Sequence, residues 1–182
     1  MHSIVENGRR VFVDAILSML KDRSDYINNI ERTGRGEIPI TGISLDVTPW
    51  HKEFGLSLRL TEEFPSGECR LNSASWKHFD FTSDSTVKEK TEALKFIEQN
   101  YESNGLNGQD SAHLIFVAGA EALLDPQVSE LLNKFSIKAP VISNESVGHF
   151  FEFIVCDPDE TISGNYCEIV IANRITNRLE NA

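Results

Sequence analysis

Apolar positions recur at helical spacing between Ser85 and Tyr101. Val87, Ala93, Leu94, Phe96, Ile97 and Tyr101 gather on one face, while Lys88, Glu89, Lys90, Glu92, Lys95 and Glu98 mark the other. This predicts an amphipathic helix, capped by Ser85 or Thr86 and stopped at Asn104-Gly105, where positive φ is tolerated. After the loop Asn107-Gly108-Gln109-Asp110, the run Ala112 to Gly119 is almost continuously apolar. A strand covered on both faces has that character, and the run is expected to be the central strand of a sheet.

The same reading predicts an N-terminal helix from about Glu6 to about Ile30, with Val11, Phe12, Ala15, Ile16, Met19 and Leu20 as its buried stripe. Thr33-Gly34-Arg35-Gly36 breaks the chain before Pro39; it matches neither phosphate-loop nor dinucleotide spacing and reads as a joint. Two strands follow, Ile40 to Val47 and Phe54 to Leu60, joined as an antiparallel pair through residues 48–53. In the second, Phe54, Leu56, Leu58 and Leu60 alternate with Gly55, Ser57, Arg59 and Thr61, which predicts one face on the core and one towards water. A turn through Phe64-Pro65-Ser66-Gly67 leads to a short strand at Glu68 to Leu71.

Asp125-Pro126 marks a second helix start, with Val128, Leu131, Leu132 and Phe135 buried and Lys138-Ala139-Pro140 as its end. Val141-Ile142 opens a short strand, and His149 to Cys156 reads as a further strand within the sheet. In the tail, Cys167, Ile169 and Ile171 alternate as in a strand, whereas Ile171, Ile175 and Leu179 recur as in a helix; strand then helix is expected. With no repeat, linker or low-complexity tract, residues 1–182 are expected to form one α+β domain with a mainly antiparallel sheet and helices packed against it.

Composition narrows the function classes. Of 182 residues, 28 are acidic and 17 basic, a formal net charge of −11, which opposes nucleic-acid binding; solubility is the first explanation of such an excess, and steering of a basic protein partner is the second. Cys69, Cys156 and Cys167 are odd in number and have no paired short spacing, against a disulfide framework or zinc ribbon and in keeping with a reducing interior. No signal-peptide core or membrane-length apolar stretch is present, so a cytoplasmic location is the expectation.

Candidate chemistry is sparse. Asp157 to Glu168 spaces its oxygen ligands like a calcium loop, but Ile162 stands where the bend needs glycine and the residues before it read as a strand, so an acidic hairpin is the better reading. None of His2, His51, His78, His113 and His149 forms a helical metal pair, and no cofactor is expected. His78 with Asp80, or His149 with Glu152, has the composition of an acid-base pair. Trp76, His78, Phe79 and Phe81 make an aromatic cluster that suits either the core or a recognition surface. Serine elbows and nucleophilic cysteine contexts are missing.

Four features occur in order: Phe54-Gly55-Leu56-Ser57-Leu58-Arg59-Leu60, Arg70 to Trp76, the helix end Ser103-Asn104-Gly105-Leu106-Asn107-Gly108, and the apolar run after it. In this the middle half of the chain resembles the bacterial domain of unknown function 4303 family, departing from it at Ser75 and Asn107. That resemblance implies an α+β fold and the context of an immunity protein in a toxin system, with no catalytic residues to carry over. The leading expectation is a non-enzymatic module that binds a basic protein partner. The alternative is a small enzyme whose site is assembled from His51, His78, Asp80, His149 and Glu152; a third reading is a homo-oligomer joined through Trp50 or Trp76.

Overall fold

The computed structural model describes residues 2–30, 40–60, 71–102, 108–135, 151–158 and 164–180. Among them the elements run α1 (His2–Asp22), α2 (Ser24–Ile30), β1 (Ile40–Thr48), β2 (Glu53–Leu60), α3 (Lys88–Glu102), α4 (Gly108–Leu123), α5 (Pro126–Leu132), β3 (Glu152–Ile154) and α6 (Tyr166–Glu180). The class is α+β, as expected. The sheet of described strands is small and mixed, in the order β2-β1-β3: β1 pairs antiparallel with β2 and parallel with β3. The expectation of a mainly antiparallel sheet is therefore corrected.

Alternation along β1 and β2 places Ile43, Leu45, Val47, Phe54, Leu56, Leu58 and Leu60 on one face, and all of them are buried. Three helices, α1, α3 and α4, pack together over that face. Phe12 of α1 links the layers, its ring centroid 5.1 Å from that of Phe54 and 5.3 Å from that of Phe96 on α3. Gly8 lies where the three helices converge; a Cβ there would sit 2.8 Å from the Phe96 ring and 2.9 Å from Ala118 Cβ. Only a hydrogen at this position lets the helices close.

The apolar run Ala112 to Gly119 is the largest correction, because it forms the middle of α4 and the central strand is β1. Its pattern is unbroken because α4 is covered on several sides, by α1, α3, α6 and the sheet. Alanine-rich composition with few β-branched residues favours the helix. Gly119 brings it close to the sheet, since a Cβ there would meet Leu45 Cδ2 at 3.0 Å.

The tail is also corrected, being helical from Tyr166 onward. Asn165 starts α6: its Oδ1 accepts from the N–H of Cys167, 3.0 Å away, and from that of Val155, 3.1 Å away, while its amide donates to the carbonyl of Phe153. Contacts of His113 with Tyr166 and of Glu121 with Arg174 show that α4 and α6 run parallel, side by side.

Other boundaries move by less. The N-terminal helix divides at Arg23 into α1 and α2. Helix α3 begins at Lys88, and Ser85, rather than capping it, donates to Asp22 Oδ2 at 2.8 Å. Asp125 does cap α5, accepting from Gln127 N–H at 3.0 Å, with Pro126 at the first helical position. Of the strand expected over His149 to Cys156, residues 149–150 lie outside the described residues, and among those described the strand is Glu152–Ile154, at the edge of the described sheet. Residues 33–36, the turn at 64–67, residues 68–70 of the short third strand, the Asn104-Gly105 stop, residues 138–142 and residues 159–163 of the calcium-like loop lie outside the described residues. Among those described, no helix is long and apolar enough to cross a membrane.

Candidate functional site

The second face of the sheet was expected to meet water and does not. Ser44 and Asp46 of β1 lie there opposite Ser57 and Gly55 of β2, and Gly42 lies opposite Arg59. Ser44, Ser57 and Arg59 are buried, Arg59 at 1% exposure. The segment 71–87, between β2 and α3, straps this face. His78 carbonyl accepts from Leu58 N–H, Thr82 Oγ1 accepts from Leu56 N–H at 2.9 Å, and Asp80 N–H donates to Ser57 Oγ at 2.8 Å. The first two of these bonds occupy edge donors of β2 that would otherwise invite another strand.

Under the strap lie two polar groups. In the first, Asp46 accepts hydrogen bonds from the hydroxyls of Ser44 at 2.9 Å, Ser73 at 2.6 Å, and Ser57. Burial pushes its carboxyl up to about 6, with Asp80 adding to the rise, although the serine hydroxyls pull the other way. In the second, Arg59 Nη2 meets Glu152 Oε2 at 2.6 Å, and the guanidinium lies 5.6 Å from the centroid of the Trp76 ring. Arg59 also donates to Thr41. Together these form a fastening between the sheet and the strap.

At its outer edge the strap changes character within a few residues. Trp76 and Phe81 are buried, whereas Phe79 is 49% exposed. The change of direction passes through Asp80, whose φ of 38° is uncommon for a residue with a side chain. Asp80 is held there by its bond to Ser57 and by Thr82 Oγ1, which donates to its Oδ1 at 3.2 Å. Its carboxylate also lies so close to Gly55 that a Cβ on that glycine would be 2.3 Å from Oδ1. The hydroxyl of Tyr26 on α2 meets His78 Nδ1 at 2.8 Å, and the Tyr26 ring stacks on Phe81, 10° from parallel with centroids 5.7 Å apart. Tyr26 remains 42% exposed.

The seven residues singled out from sequence divide accordingly. Trp76, Asp80 and Glu152 meet the sheet's second face through Arg59 and Ser57. His78 gives its backbone to the same strap and its ring to Tyr26. Trp50 and His51 lie in the β1–β2 turn, where the Trp50 ring is 6.3 Å from Phe116 on α4 and faces the helical layer. His149 lies outside the described residues. Asp46, Ser44, Ser57, Ser73, Arg59 and Tyr26 were missed. The available signal was the alternation of Ser44 and Asp46 with Ile43, Leu45 and Val47, and an arginine set between leucines in β2.

A groove of ≈ 470 Å³ runs between α1 and α5, lined by residues including Glu6, Arg9, Arg10, Asp14 and Asp125. It contains none of the seven, and Arg9 is paired across it to Asp125 at 2.7 Å. Where α4 meets α6, His113 Nδ1 is 3.3 Å from the Tyr166 hydroxyl, which burial, Asp157 and Cys156 push up to about 12. Burial likewise pushes the Cys167 thiol well up, which keeps it protonated and a poor nucleophile. Among the described residues no group of three or more histidine, cysteine, aspartate or glutamate side chains could hold a metal ion. Comparison with protein-family models, with curated proteins and with solved structures finds no match to this chain.

Proposed function

We propose that the chain is a non-enzymatic module of the cytoplasm that binds a basic protein partner, in the manner of an immunity protein that neutralises a toxin. The observation that carries this reading is the acidic surplus of −11. Arg9, Lys52, Arg59, Lys88 and Arg174 are each engaged with a carboxylate of the same chain, and Lys90 donates to the carbonyls of Thr82 and Ser83. Each of these ion pairs removes one charge of either sign, so the surplus of −11 is unchanged by them; it accelerates encounter with a positive surface and disfavours nucleic acid. The resemblance of the middle of the chain to an immunity-like family supports the same reading. One of the elements that carry it, the apolar run after Gly108, is helix α4.

The test is capture from native lysate by the tagged protein at low salt, with retained proteins identified by mass spectrometry. A basic protein retained in equimolar amount is expected. Retention of nothing, or of an acidic protein, overturns the proposal.

A further inference from the structure

We propose that Asp46, Ser57 and Asp80 form a proton-operated catch: with a proton held by the two carboxylates the strap lies closed on β2, and loss of that proton lets it lift while the helical layer stays folded. Two features place the acids against each other. Ser57 donates its one hydroxyl proton to Asp46 and accepts from the Asp80 N–H at 2.8 Å, so a single side chain ties both residues. Gly55 is the register partner of Asp46, and the Asp80 carboxylate occupies the space that a side chain at Gly55 would need. One carboxylate therefore belongs to the sheet and the other to the strap, at the same point of the sheet's second face. Asp46, Ser73 and Asp80 are each half-buried, so protons reach the seam between them.

Among the described residues, the charged group that acts on Asp46 is Asp80, and it has the same sign. The other groups that face Asp46 from β1, β2 and the strap are hydroxyls, those of Ser44, Ser57 and Ser73. Cations near the strap are directed elsewhere: Arg59 to Glu152, Lys90 to the carbonyls of Thr82 and Ser83, and Arg23 to Asp22 and Asp84, while Lys77 is exposed. Two like charges drawn together resist ionising together, and one retained proton relieves them. The three hydroxyls favour the ionised form of Asp46, but burial outweighs them and pushes its carboxyl up to about 6. The closed strap thus holds the proton more tightly than the open one, and closure weakens as pH rises through that value.

Backbone strain sits at the same residue. The φ of 38° at Asp80 is sparsely populated by residues with a side chain, and it persists because Ser57 and Thr82 hold it. Release of the catch lets Asp80 relax, which lowers the cost of opening. The bonds that report opening lie on either side of it: Leu56 N–H donates to Thr82 Oγ1, and Leu58 N–H donates to the His78 carbonyl.

Amide hydrogen exchange, followed residue by residue by NMR from pH 5 to pH 8 and corrected for the intrinsic pH dependence of exchange, tests the catch. In the parent chain, protection of the Leu56, Leu58 and Asp80 amides is expected to fall by about tenfold over that range, while Ile115 and Phe116 in α4 keep theirs. Asp46→Asn, which has no proton to lose, is expected to show no such fall. Asp80→Asn suits the left-handed backbone and keeps an acceptor for Thr82, and it is expected to shift the fall to lower pH because the like charge is gone. Protection of the three amides that is constant with pH in the parent overturns the catch. A fall that persists in Asp46→Asn also overturns it, assigning the effect to His78, the strap's own histidine. So does a fall unmoved by Asp80→Asn, or one shared by Ile115 and Phe116, which is loss of the whole fold and not of the strap.

Discussion

Asp46 is the side chain whose surroundings differ most from those its position in the sequence suggests. A carboxylate in an alternating strand, it lies under the strap with three serine hydroxyls directed at it. Its carboxyl is raised from the ordinary 3.8 to about 6, so the folded chain binds the proton more tightly than the unfolded chain does. The stability this supplies is complete below about pH 4, where both states are protonated, and is lost as pH rises through 6. The shift corresponds to about 3 kcal/mol at most. Asparagine mimics the neutral acid, so the stability difference between Asp46→Asn and the parent should move in favour of the variant by up to that amount from pH 4 to pH 8. Chemical denaturation at a series of pH values measures it; a difference that stays constant with pH would remove Asp46 as its source.

Arg59 is also legible only through its partners. Replacing it with methionine leaves the Glu152 carboxylate without its cation beneath the strap and should destabilise the fold by about 3–5 kcal/mol. Adding Glu152→Leu to Arg59→Met should recover most of that loss, because the orphaned charge is then gone. Denaturation midpoints of the single and double variants decide this. A double variant as unstable as the single one would show that packing against Trp76, not the ion pair, is what matters.

At the level of elements, α4 is held in place by the absence of side chains as much as by their presence. Gly8→Ala should destabilise the fold by about 1–3 kcal/mol, since its methyl would meet both the Phe96 ring and the methyl of Ala118. A thermal melt unchanged by this substitution would contradict the close approach of α1, α3 and α4. The same packing explains what the sequence conceals. Amphipathic helices with one wet face, such as α1 and α3, were legible from spacing alone, and the β1–β2 pair was legible from its alternation although both of its faces are covered. Helix α4 was not, because burial on several sides removes the polar positions that reveal a helical period. The tail misled for another reason: of the alternating Cys167, Ile169 and Ile171 only Cys167 is buried, and the core face of α6 is Tyr166, Cys167 and Val170, which share a face at helical spacing. Of the candidate site, the aromatic and acidic members Trp76, Asp80 and Glu152 drew notice by type. The residue that joins two of them, Arg59, and the serines around Asp46 did not, because nothing local shows that a long connection folds back over the sheet.

For the whole molecule, the formal net charge of −11 is the property that acts at longest range on a partner. The proposed recruitment of a basic protein by this acidic surplus is open to one direct measurement, the association rate of the chain with its captured partner as a function of ionic strength. Steering by the carboxylate surplus predicts a rate that falls by roughly tenfold or more from low salt to several times the physiological concentration, with a smaller change in dissociation. An association rate indifferent to salt would contradict the claim.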